Sequence, residues 1–275
     1  MANLISVSTA PAAELGGKNY YDLIGTLEVM KRIYGEFVVD GFELQFEPEW
    51  DRENPPLTDT EFADWTKTPK FEVAEILSLV KKMKLPIISV HASRDVGNYL
   101  CSNRPQDLEK GKRVICNSLS LASELGARIC VFHLWDTWST GFDVNRLNTI
   151  LFELATQYPR VKAAVENIPT HLRGCTPFSL VSVFDYVTLD LKWAALYDEF
   201  DSFESIVDRV ANVHLRGRLN GSKWALSCQN FTFDEALGKL RNEWKYPGPL
   251  TVEPEGRLDE SLFENFLEAM RSLRP

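Results

Sequence analysis

Seven ionisable residues sit at or near the ends of short apolar runs: Glu43 in VVDGFELQF, His91 in PIISVH, His133 in RICVFHL, Glu166 in KAAVEN, Asp190 in YVTLDL, His214 in VANVHL and Glu253 in PLTVEP. Runs of this kind make buried strands, where an unpaired charge costs several kcal/mol. The chain has 4 histidines. Three of them end such runs, and the fourth, His171, follows the fifth run closely. Carboxylates and imidazoles that converge in a partly dry site cannot all stay ionised without a compensating cation, and a single divalent metal ion supplies one. Ligation by three carboxylates and one imidazole suits manganese or magnesium, and zinc or cobalt also meet it.

Such convergence needs a scaffold that brings strand ends together. Eight strands are predicted, at 4–8, 38–46, 86–91, 128–134, 162–167, 186–191, 210–215 and 249–254. Amphipathic stretches at 71–83, 113–125, 143–158 and 259–273 lie between or after them; the first places Val73, Ile76, Leu77 and Val80 on one face, a helix packed on a core. Thr176 before Pro177, and Thr232 with Glu235, are helix starts, and Gly126 is a helix stop. Continuous apolar strands alternating with helices imply a parallel sheet covered by helices. Eight such units in 275 residues predict an α/β fold in which residues 1–275 form one (β/α)8 TIM barrel, whose carboxy-terminal strand ends share one face. Ser8-Thr9-Ala10-Pro11 follows the first strand where a dinucleotide-binding fold needs a glycine-rich turn. The irregular segment at 47–70 after the second strand, carrying Trp50 and Trp65, is expected to be a lid, with a decorative or oligomer-forming insertion as the alternative.

Composition narrows the partners. With 44% hydrophobic and 25% charged residues, the chain reads as an ordinary globular protein. The net charge of −9 argues against nucleic acid. The absence of a basic and apolar leader, and of any long apolar run, predicts a cytoplasmic protein without a membrane span. Cys101, Cys116, Cys130, Cys175 and Cys228 are scattered without a CxxC pair, so neither disulfides nor a thiolate zinc site is expected.

The fragments VDGFEL, SVHAS, VFHLW, VENIP, LDL, VHLRG and VEPEG, in this order, resemble the xylose isomerase-like TIM barrels, the superfamily of the sugar phosphate isomerases/epimerases and endonuclease IV. The resemblance implies that one divalent ion is held by Glu166, Asp190, His214 and Glu253, with Glu166 and Glu253 as the acid/base pair. It implies that His91 and His133 line the substrate pocket, or bind further zinc as in endonuclease IV. Two departures matter. Trp193 stands three residues after Asp190 where the family often has histidine, and RLNGSKWALSCQNF lacks the Asp-x-His pair of endonuclease IV. A trinuclear zinc cluster and DNA repair are therefore disfavoured.

The implied activity is that of a sugar, polyol or hydroxy-acid isomerase or epimerase working through an enediolate. A dehydratase of the inosose or dehydroshikimate type on the same scaffold is the alternative, and a non-catalytic sugar-binding barrel is a third reading. Substrate contacts are expected from Glu43, His91, His133, Trp135 and Arg216. Trp50, Trp138, Trp193 and Trp224 are further candidates for packing on a sugar face, and Arg94, Arg218 and Arg257 for binding an anionic group. The expected partner is a small sugar or polyol, and a homo-oligomer is compatible with the sequence.

Overall fold

The computed structural model describes residues 3–18, 22–46 and 71–274. The expected lid at 47–70, with Trp50 and Trp65, lies outside the described residues. Among the described residues, nine strands form one sheet: β1 (Ile5–Ser8), β2 (Gly41–Phe46), β3 (Ile87–Ala92), β4 (Ile129–Phe132), β5 (Lys162–Glu166), β6 (Tyr186–Asp190), β7 (Val210–Asn220), β8 (Lys223–Leu226) and β9 (Leu250–Pro254). Strands β1 to β6 pair in sequence, β6 pairs with β7, and β9 lies between β7 and β1. Eight parallel strands thus close into a barrel, and each predicted strand is one of them.

The strands read as apolar runs because helices cover their outer faces; Val7, Phe42, Leu44, Val90, Phe132, Val165, Val187, Leu189, Val213, Leu215 and Val252 are each at most 1% exposed. Inside the barrel the residue types change. A small apolar cluster of Ile129, Val131, Ala164 and Ala211 is separate from the main core. Beside it runs a chain of hydrogen bonds: Ser6 Oγ to Thr251 Oγ1 at 2.7 Å, Thr251 Oγ1 to Asn212 Oδ1 at 2.9 Å, and Asn212 Nδ2 to Glu43 Oε2 at 2.9 Å. These groups are fully buried, so their pairing is what makes the burial tolerable.

The helices keep the predicted faces with shifted ends. Thr176 and Thr232 cap the helices Pro177–Val181 and Phe233–Gly238 with reciprocal capping boxes. Gly126 ends the helix Pro105–Leu125 in the left-handed region. That helix starts eight residues before the apolar periodicity does, because Pro105 fixes its first turn while residues 106–113 are mostly polar. The helix Val144–Ala155 stops three residues short of the expected end. β7 runs to Asn220, five residues past the predicted end at 215, and turns back into β8 through a two-residue turn with Gly221 at φ 58°.

Above β3 the short helix Asp95–Leu100 packs against the loop after β4, and Gly97 makes this approach. A Cβ on Gly97 would lie 2.5 Å from the carbonyl carbon and oxygen of Trp135. Backbone atoms cannot yield as a flexible side chain can. Gly97→Ala is expected to destabilise the fold by about 1–3 kcal/mol, read as a lower urea midpoint with an unchanged slope.

Candidate metal centre and cavity

Strand periodicity places the site. Residues two apart on a strand face the same side, so Ser89 and His91, Thr188 and Asp190, Asn212, His214 and Arg216, and Thr251 and Glu253 line the interior in steps. Register brings Asp190 opposite His214, and Arg216 opposite Glu253. Glu166, Asp190, His214 and Glu253 each offer a ligand atom, and these atoms lie within 4.8 Å of one another. His91, His133 and Glu166 form an overlapping group, as do Glu43, His91 and His214.

Each member is oriented by a neighbour. Asp190 caps the helix Leu191–Leu196, its Oδ1 accepting from the Lys192 and Trp193 amides at 2.8 and 3.3 Å. The other oxygen, Oδ2, is buried without a hydrogen-bond partner. Glu166 Oε2 is bound by His133 Nε2 at 3.1 Å and His91 Nε2 at 3.3 Å, which leaves Glu166 Oε1 unpartnered. Asn167 ties the ends of β5 and β6 by bonding both the amide and the carbonyl of Asp190, at 2.6 and 3.2 Å.

Glu43 and His214 form the deepest pair, both 0% exposed, with His214 Nε2 at 3.1 Å from Glu43 Oε1. Ser89 Oγ and Asn212 Nδ2 also donate to Glu43, at 2.8 and 2.9 Å. A carboxylate there keeps a proton on Nε2 and directs Nδ1 at Glu166 and Glu253, 3.2 and 3.4 Å away. Those contacts are close but not aligned as hydrogen bonds, and Nδ1 has no bonded partner.

The donor set therefore fits a divalent ion: three buried orphan atoms, Glu166 Oε1, Asp190 Oδ2 and His214 Nδ1, beside Glu253, with the imidazole held from behind by a carboxylate. Electrostatics carries the same mark. Burial alone would raise the Glu166 carboxyl and lower the His214 imidazole, but their attraction, with help from His133 and Glu43, sends Glu166 well below and His214 well above the ordinary value. Asp190 is pushed up to about 7, chiefly by burial and by Glu166 and Glu253, against the pull of Arg216. Glu253 is drawn to about 2 despite its burial by Arg216 and His214.

Beside the cluster lies a cavity of about 450 Å³ lined by Arg94, Asn98, His133, Trp138, Trp193 and Arg216, among others. Arg216 bonds Glu253 at 2.7 and 3.0 Å and stands 2.8 Å from Asp190 Oδ2. Glu43, expected as a substrate contact, is 0% exposed and taken up by protein partners; Trp135, also expected as one, is 0% exposed and its indole donates to the Ile168 carbonyl at 3.0 Å, but it is among the residues lining the cavity. Trp224 is also buried, donating to the Leu215 carbonyl at 3.2 Å within the hairpin. Arg218 and Arg257 are exposed and line no part of this cavity. Sequence reading missed Ser89, Asn167, Asn212 and Thr251. For Ser89, Asn212 and Thr251 the signal was a polar residue two positions before a candidate ligand.

The fold has structural counterparts. A D-allulose 3-epimerase from Methylomonas sp. in complex with D-allulose superposes with a TM-score of 0.65 at 13% identity, over 99% of this chain and 93% of that one. A D-tagatose 3-epimerase-like protein matches at 0.63 and 18% identity, over 98% and 97%. A sugar phosphate isomerase/epimerase from Parabacteroides distasonis matches at 0.61 and 13%, over 99% and 95%. The chain shares the (β/α)8 fold of these proteins. No protein-family model and no curated protein matches the chain. Among the described residues of this barrel, no helix is long and apolar enough to cross a membrane.

Two outcomes follow for metal affinity. Glu43→Gln removes the negative charge behind His214 Nε2 and leaves one accepting oxygen to serve His214, Ser89 and Asn212, so Mn2+ affinity measured by calorimetry is expected to fall about 10–100-fold; unchanged affinity would refute this role. A divalent ion must also displace the protons held by Asp190 and His214, so affinity is expected to weaken as pH falls below about 7, with proton release visible across buffers of different ionisation enthalpy.

Proposed function

We propose that the protein is a divalent-metal-dependent isomerase or epimerase of a small sugar, polyol or hydroxy acid. The observation that carries this reading is a set of buried atoms without an aligned hydrogen bond, Glu166 Oε1, Asp190 Oδ2 and His214 Nδ1, close to one another beside Glu253 and next to a cavity. The D-allulose bound by the Methylomonas barrel supports a ligand of ketose size. Manganese, magnesium, zinc or cobalt held by Glu166, Asp190, His214 and Glu253 would supply Lewis-acid polarisation of a carbonyl and its neighbouring hydroxyl.

The chain's own residues provide the proton transfers. Glu166 and Glu253 are both held ionised, the state in which a carboxylate accepts a proton. Glu253, whose side chain is 19% exposed against 0% for Glu166, faces the more open side and exchanges its proton more readily. Removal by one glutamate as a carboxylate, with return from the other after it has taken a proton from solvent, inverts the carbon that carries the hydroxyl; return to the adjacent carbon, with a proton passed between the two oxygens, interconverts aldose and ketose. His91 and His133 keep Glu166 in position, and His133 also forms part of the cavity wall.

The test is solvent deuterium incorporation into ketoses, inososes and hydroxypyruvate by the Mn2+-supplemented protein in heavy water. Glu166→Gln and Glu253→Gln are each expected to lower exchange by about 10²–10⁴-fold while circular dichroism stays that of the parent. Exchange that survives both changes would eliminate this mechanism.

A further inference from the structure

Arg216 occupies the middle of the ligand set. Its guanidinium donates to both oxygens of Glu253 at 2.7 Å, lies 2.8 Å from Asp190 Oδ2 and 3.7 Å from Glu166 Oε1. The coincidence is one of atoms as well as of region. Asp190 Oδ1 is committed to the helix cap and Glu166 Oε2 to two histidines, so the oxygens nearest the guanidinium are the ones left for a metal ion. Burial alone would lower the Arg216 guanidinium, but Asp190, Glu253 and Glu166 hold it firmly charged.

The side chain also has somewhere else to go. Its guanidinium carbon lies 5.5 Å from the centre of the Trp193 ring, and Arg216 and Trp193 both line the cavity with Arg94. An aromatic face is a favourable resting surface for a guanidinium. The backbone, in contrast, is fixed: the Arg216 carbonyl accepts from the Ser227 amide at 3.0 Å, and Arg216 is registered against Glu253 on β9.

We propose that Arg216 is the resident cation of the carboxylate cluster, that it competes with the divalent ion for the same oxygens, and that metal loading transfers its guanidinium to the Trp193 side of the cavity, where it meets the substrate. The proposal rests on the metal reading above and adds an order to it: metal first, then substrate, because the substrate's polar contact is released by the ion.

The test is Mn2+ binding to the metal-free full chain, followed by the electron paramagnetic resonance signal of free Mn2+. Opposed charges a few ångströms apart shift ionic equilibria by one to three decades, so Arg216→Met is expected to bind Mn2+ about tenfold more tightly or better, with Arg216→Lys between it and the parent. Equal or weaker binding by Arg216→Met, with the parent still binding, would overturn the competition and leave the metal reading standing. No binding by any of the three would overturn both. Should Arg216→Met lose its thermal transition, the parent alone decides through Zn2+ titration of tryptophan emission. A change in the parent that Trp193→Phe abolishes supports the transfer, and a change that Trp193→Phe retains in full, or no change on binding, refutes it.

Discussion

Four carboxylates, Glu43, Glu166, Asp190 and Glu253, share the interior of the upper barrel with little or no access to water. The cost of their mutual repulsion governs what surrounds them. His214 bridges Glu43 to Glu166 and Glu253, His91 and His133 flank Glu166, and Arg216 spans Glu253 and Asp190. Each cationic or hydrogen-bonding group is answered by an acid. Even so, Asp190 is raised to about 7, a sign that the protein's own cations do not fully balance the cluster.

Beneath the ligands the barrel carries a polar layer in place of a wholly apolar filling. The chain from Ser6 through Thr251 and Asn212 to Glu43 joins β1, β9, β7 and β2 by side chains as well as by ladders. It fixes Glu43, Glu43 fixes the His214 tautomer, and the tautomer decides where a lone pair points. Strands that share such a network are held in one register, since a slip of one residue would turn every member outward.

The eight strands were legible because both faces of each are covered, which leaves a continuous apolar run in the sequence. The charged strand ends stood out against those runs for the same reason. Directions of side chains were less legible. Glu43 lies at a register irregularity between β2 and β3, so its turn toward His214 could not be read by counting along the strand. Trp135 was placed with its loop, yet it stacks on Phe142 at 5.5 Å and joins the core. The β7–β8 hairpin was hidden because LNGSKW is mostly polar, although its glycine carried the turn.

That hairpin has a kinetic consequence. Because β7 continues past the barrel rim, Arg216 is flanked by Glu253 of β9 on one side and by Ser227, just past β8, on the other, and Gly217 next to it accepts from the Glu255 amide at 2.6 Å. Motion of the guanidinium is thereby confined to side-chain torsions. Its pace is set by separating a bidentate ion pair and hopping between rotamers, with no loop to open and no strand to peel. The exchange of one cation for another at this site then belongs to side-chain dynamics, while the backbone that presents the ligands persists as long as the barrel does.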